Sequence, residues 1–157
     1  MISDDSLGTI RVATQADVDY VADNMREDDV REVYAAAMLT PRKAVDISIE
    51  RTDVPMVGEV DGVPFVLFGV SYPYALADYG MPWLLATPAI EAHAVPFLRH
   101  SAGVVREMKA RYDHLENWVD ARNRLSIRWL RWCGFTVDPA TPFGALKRPF
   151  HRFHARA

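Results

Sequence analysis

The chain has 157 residues, half of them hydrophobic and a quarter charged, which suffices for one domain with a sizeable core and excludes a largely disordered chain. No run of 18 apolar residues occurs, so no membrane-spanning helix is expected. The net charge of −3 is unevenly spread: residues 1–32 carry a net −6, residues 33–98 a net −4 and residues 99–157 a net +7.

That asymmetry has two readings. The acidic front packs near the basic back, or the basic third faces phosphates, on a nucleotide cofactor or on nucleic acid. The start, Met1–Gly8, is acidic and polar, without the basic and apolar regions of a signal peptide. The single cysteine, Cys133, leaves no intrachain disulfide. A cytoplasmic location is expected from both. No repeat or Gly/Ser/Pro-rich linker interrupts the chain, so residues 1–157 are read as a single domain, with 1–8 flexible.

Thr9–Thr14 reads as a strand, with Ile10 and Val12 alternating with polar neighbours. Thr14, with Asp17 three residues on, resembles a capping box for a helix carrying Val18, Val21, Ala22 and Met25. A second helix is expected over 29–38. Thr40-Pro41 starts a third, which runs to about Glu50. Extended segments follow at 55–60 and 64–71, joined by Asp61-Gly62, a strong hairpin signal. Phe65-Val66-Leu67-Phe68 is apolar throughout, as for a strand covered on both faces. After a loop over 72–80, Pro82–Ala86 is a further strand with a break near Pro88.

The longest helical pattern is 95–112, with Leu98, Ala102, Val105, Met108 and Tyr112 assigned to its inner face. Leu115–Val119 is a strand. Asn123 caps a short helix to Trp132, which Gly134 terminates. Strands are expected at 135–137 and within 143–153. This order predicts an α/β (α+β) fold: a central mixed sheet with helices on both faces.

The segment Asp120–Phe135 resembles the later part of the GCN5-related N-acetyltransferase (GNAT) superfamily, in which a strand ends in Asn, a small residue follows three later, and a short helix ends in Gly-Phe. Asn123, Ser126, Gly134 and Phe135 stand at those four places. Within the superfamily the segment is most similar to small acyltransferase-like proteins of tailed phages, among them the internal virion assembly protein of T7-like phages. The resemblance implies a GNAT fold over residues 9–153, acetyl-CoA as cofactor, no metal, and a small-molecule amine as substrate. It implies Asn123 and Ser126 at the pantetheine arm, with Arg99 and Arg124 toward the phosphates. Glu91 and His93 follow the central strand, where the amine would sit, and are weak candidates for the general base, with Glu59 and Asp78 beside them.

Two positions depart from that pattern. Family enzymes hold the diphosphate in an Arg/Gln-x-x-Gly-x-Gly/Ala loop; here the turn at 93–99 has no glycine, and Pro96 removes an amide donor. A tyrosine often stands seven residues after the Asn; here that residue is Leu130, which has no proton to give.

Individual residues keep a bland reading beside the functional one. Asn123 can be a helix cap alone. Arg124, Arg128 and Arg131 form one stripe by i, i+4, i+7 spacing, either a solvated face or a phosphate contact, with Leu125, Trp129 and Trp132 placed opposite as core or partner contacts. Cys133 reads as core packing. The five histidines show no metal-ligand spacing. The tail Lys147–Arg156 mixes bases and aromatics and reads as a final strand. Two functions therefore stand side by side: an acyl-CoA-dependent N-acyltransferase with a degenerate cofactor loop, or a non-catalytic phage virion or assembly protein that keeps the fold and binds protein partners or copies of itself. Nucleic acid is not expected as a partner, and the location would be the host cytoplasm or the virion.

Overall fold

The computed structural model describes residues 8–156. The expected flexible start lies outside the described residues apart from Gly8, which is buried and packs against the Glu59 carbonyl with φ +83°. Strand β1 (Thr9–Val12) is followed by helices α1 (Gln15–Asp23), α2 (Glu27–Ala37) and α3 (Pro41–Glu50). Strands β2 (Met56–Val60), β3 (Val63–Ser71) and β4 (Met81–Ala86) come next. A 3₁₀ turn at Pro88–Glu91 leads into α4 (Ala94–Arg111), β5 (His114–Asp120) and α5 (Arg124–Trp132). The chain closes with β6 (Thr136–Val137), β7 (Thr141–Phe143) and β8 (Arg148–Arg156). Among the described residues no helix is long and apolar enough to cross a membrane.

The local signals act as their chemistry requires. The Thr14–Asp17 capping box is complete, and Arg11 clamps the same Asp17 carboxylate at 2.6 Å, holding it well below the usual carboxylate range, at about 2. Thr40 caps α3 with Pro41 in its first turn. Asp61 and Gly62 both take positive φ, 52° and 75°, as a type I′ turn demands. Gly134 ends α5 at φ +87°.

Strands β1–β4 form one antiparallel sheet and β5, β8, β6 and β7 a second. Among the described residues the two sheets share one backbone bridge, a parallel one, where Gly80 donates to the His114 carbonyl and accepts from the Glu116 amide. Beyond it β4 and β5 diverge, opening a fork in the middle of the molecule.

Side-chain alternation divides the core. Val57, Leu67 and Leu85 pack under α1 and α3 with Val18, Val21 and Val45. Val66, Phe68, Leu84 and Ala86 pack under α4 and α5 with Phe97, Val105, Ile127 and Trp129. Helices α1 and α3 therefore cover one face of the first sheet and α4 and α5 the other. Among the described residues no ion pair joins the acidic front to the basic back, although the charges of Asp28 and Glu32 act on Arg122. Acids of α1–α3 pair with nearby arginines, Asp17 with Arg11, Asp19 with Arg42 and Glu27 with Arg31.

The inner face of α4 is rotated from the sequence expectation. Phe97, Ser101, Val105 and Met108 are buried, while Ala102 is exposed and Leu98 half-buried. Phe97 is the reason: it packs its ring edge-on against Phe65 and Phe68 and turns the helix to bring it inward. Trp132 likewise is not opposite the arginine stripe in the core but 61% exposed, its indole donating to the Leu98 carbonyl at 3.1 Å.

The β7–β8 turn docks on α2 by backbone alone: the Ala145 and Leu146 amides donate to the Ala36 and Ala35 carbonyls. Gly144 makes this approach at φ +78°, and a Cβ there would stand 2.8 Å from Ala36 Cα. We expect Gly144→Ala to lower stability by about 2–3 kcal/mol in urea titration, through strain and lost docking together.

Candidate functional site

The fork is built from alternation along β4. Its edge away from β3 carries the peptide groups of Gly80, Pro82, Leu84 and Ala86. Gly80 is spent on β5. The Pro82 carbonyl accepts from Asn117 Nδ2 at 3.0 Å, just where the strands part. The Ala86 amide donates to Asp29 Oδ2 at 2.8 Å and its carbonyl accepts from the Arg26 amide at 2.8 Å. Only Leu84, between them, takes no hydrogen bond from another element among the described residues.

Arg26 and Asp29, at the start of α2, fill the far end of the fork. Their side chains are 4% and 0% exposed. The Arg26 guanidinium pairs with Asp29 at 3.0 Å, donates to the Asn123 side-chain oxygen and to Ser126 Oγ, and reaches Asp28 at 3.1 Å. Asn123 returns a bond from Nδ2 to Asp29 Oδ1 at 3.1 Å and caps α5 by accepting from the Ser126 amide at 3.4 Å. Burial pushes the Asp29 carboxyl up, while Arg26 and the Ala86 amide hold it down.

Next to this knot lies a cavity of about 470 Å³, walled by Trp83, Trp118, Trp129, Phe143 and Phe150, with Glu32 on its rim. Trp118 and Phe143 stack at 4.2 Å and 8°. Glu32 accepts from the Asp120 amide at 2.7 Å and, more weakly, from Asn123 Nδ2 at 3.4 Å. Burial, reinforced by the negative charge of Asp29, raises the Glu32 carboxyl to about 8, so it exchanges protons near neutrality.

Trp129 separates this cavity from a narrow groove of about 80 Å³ between α4 and α5, lined by Ile90, Phe97, Leu98, Leu125 and Arg128. Its ring stacks on Phe97 at 5.9 Å and 23°. Its indole N–H is buried without a hydrogen-bond partner among the described residues.

Of the residues singled out from sequence, the fold brings Asn123 and Ser126 together in the knot, where Asn123 is both cap and network member. Arg99 and Arg124 are exposed on α4 and α5. Glu91 is exposed in the 3₁₀ turn. His93 is the N-cap position of α4, its ring 5.3 Å from Phe65. Neither lines the cavity, because the turn at 88–91 carries the chain past the end of β4 before α4 begins. Glu59 is occupied by Arg11 at 2.8 Å, and Asp78 is exposed in the loop before β4. Burial lifts the Cys133 thiol to about 11, so it is no nucleophile at neutral pH. Sequence reasoning missed Arg26, Asp29 and Glu32, because a run of charges opening a helix reads as a solvated first turn.

A coenzyme A diphosphate finds little to hold it. Two amides, of Ala94 and Val95, open α4 before Pro96, and no glycine lets them approach. Phe97 and Trp129 stack between the α4–α5 groove and the cavity, and the Ala86 peptide is already bonded. The turn is therefore poor in backbone donors for a diphosphate, and Arg128, which lines the groove with Ala94, is the cation on that side.

No protein-family model matches the chain, and neither does any curated protein. Solved structures do. The ribosomal-protein-alanine N-acetyltransferase from Brucella melitensis superposes with a TM-score of 0.68 at 17% identity over 95% of this chain and 99% of that one. Spermidine N-acetyltransferase from Vibrio cholerae, in complex with CoA and spermine, gives 0.67 at 10% identity over 96% of both chains. Aminoglycoside acetyltransferase AAC(6')-Ib, in complex with coenzyme A, gives 0.65 at 12% identity over 95% and 94%. The chain therefore has the mixed α/β fold of the GNAT acetyltransferases.

Proposed function

We propose that this chain is a GNAT-fold binding protein that keeps the amine side of the fork and has closed the coenzyme side from within. The observation that carries this reading is the Arg26–Asp29–Asn123 knot, which bonds the Ala86 peptide at the end of β4 and takes up the Asn123 side chain that the family resemblance places at the pantetheine arm. The missing glycine loop and Leu130 in place of a tyrosine point the same way. The resemblance of Asp120–Phe135 to acyltransferase-like proteins of tailed phages supports a place in virion assembly, with protein partners.

The ligand that suits the cavity is a small organic cation. Aromatic faces attract a cation by their quadrupoles, and Glu32 supplies a carboxylate whose ionisation a bound cation would favour.

Acyl transfer to an amine is the second reading, favoured by the unbonded Leu84 peptide and by Glu32 titrating close to neutral pH, as a general base should. Calorimetric titration separates the two. We expect no heat with acetyl-CoA at millimolar concentration, and measurable binding of spermine or a simple aryl-alkyl amine that Glu32→Gln weakens at least tenfold. Micromolar binding of acetyl-CoA would reverse the order of the readings.

A further inference from the structure

Elsewhere on the molecule Arg11, Arg26, Arg31, Arg42, Arg122 and Arg152 each hold a carboxylate. The outer face of the α4–α5 layer is different. Arg99 and Arg106 lie seven residues apart, two turns along the side of α4 opposite its buried residues. Arg124, Arg128 and Arg131 run along α5 on one stripe, all exposed. Lys109 joins them near the end of α5, its ammonium 6.0 Å from the Phe135 ring.

The two helices are neighbours, tied by the Trp132 indole to the Leu98 carbonyl and by Cys133 Sγ to Ser101 Oγ at 3.8 Å. Among the described residues none of these six cations has an ion-pair partner. Glu107, the single acid in the two helices, is turned away, lining a groove with Thr52, Met56 and Arg111 on the other flank of α4. Trp132 sits 61% exposed among the cations, its ring held by the bond to Leu98.

Against the expectation from sequence, we infer that the α4–α5 face binds single-stranded nucleic acid, with the arginines on the phosphates and Trp132 as a stacking surface for one base. Arginine matches phosphate with a bidentate fork, and an exposed indole among arginines is the usual means of holding unpaired bases. A protein partner fits less well. Protein interfaces deplete charge at their centre, whereas nucleic-acid interfaces concentrate positive charge there, and the exposed large apolar residues on this face are Trp132 and Val95. The acids of α1 pack with α3 under the opposite face of the first sheet, and Asp28 and Asp29 of α2, which do approach the start of α5, are held by Arg26. The inference stands on a surface outside the fork, so its failure leaves the cavity reading untouched.

The test is fluorescence anisotropy of a labelled 15-nucleotide oligo-dT with the intact chain over a salt series. We expect the affinity to fall with a log–log slope of about −2 to −3, as for three or four phosphate contacts. Arg128→Glu with Arg131→Glu should weaken binding more than tenfold, and so should Arg99→Glu with Arg106→Glu on the other helix. Trp132→Ala should cost roughly tenfold and Trp132→Phe much less. No binding at low salt, retention of affinity in both charge-reversed variants, a preference for duplex, or equal binding of a poly-glutamate peptide would each overturn the inference.

Discussion

Arg26→Leu lowers the free energy of unfolding by about 3–5 kcal/mol, the largest single loss expected in the molecule. The guanidinium is 4% exposed and binds four side chains at once, those of Asp28, Asp29, Asn123 and Ser126. Its removal leaves the fully buried Asp29 carboxylate with the Ala86 amide and Asn123 Nδ2 but no countercharge. The carboxyl, already pushed up by burial, then takes a proton, and an uncompensated polar cluster remains inside the fork. Urea titration at pH 7 reads the loss, and Asp29→Asn added to Arg26→Leu should recover part of it, since asparagine keeps the acceptor without the cost of protonating a buried carboxylate. If the knot instead contributes little, the single variant would unfold within 1 kcal/mol of the parent, and the closure of the fork would have to be assigned to packing alone.

Asp29 and Glu32 mark the boundary of what the sequence discloses. Features governed by neighbours along the chain were legible: the Thr14 and Thr40 caps, the Asp61-Gly62 turn, the Asn123 cap and the Gly134 stop all follow from local backbone needs. The fold followed from the order of such elements and from the Asn123–Phe135 spacing. The site did not, because its parts come from α2, β4, β5, α5 and the β7–β8 hairpin. Asp29 bonds Ala86, 57 residues away, and Arg26 bonds Asn123, 97 residues away. No periodicity distinguishes Asp29, which is buried, from Glu27, which is exposed two residues earlier. The face of α4 was misjudged for a related reason: Leu98 and Phe97 are both apolar, and only the aromatic contacts of Phe97 with Phe65 and Phe68 decide which turns inward.

Glu32→Gln should stabilise the protein in alkaline solution and leave it unchanged in acid. The Glu32 carboxyl is raised from 4.5 to about 8, by burial first and by the nearby Asp29 charge second. Between those values the folded chain binds more protons than the unfolded chain, so stability falls as the pH rises through that window, and the full penalty is present only above the folded value. At about 1.4 kcal/mol per unit the ceiling is roughly 5 kcal/mol. Glu32 is partly open to the cavity, and we expect roughly 2 kcal/mol from the substitution at pH 9, against none at pH 4. Glutamine keeps the acceptor for the Asp120 amide, so the packing of α2 on β5 is preserved. Thermal unfolding of both chains from pH 4 to pH 9 measures the difference. Parallel curves would mean that Glu32 titrates as an ordinary surface carboxylate. In that case the cavity would lose its cation-binding group, and the hydrophobic walls would have to select the ligand by shape.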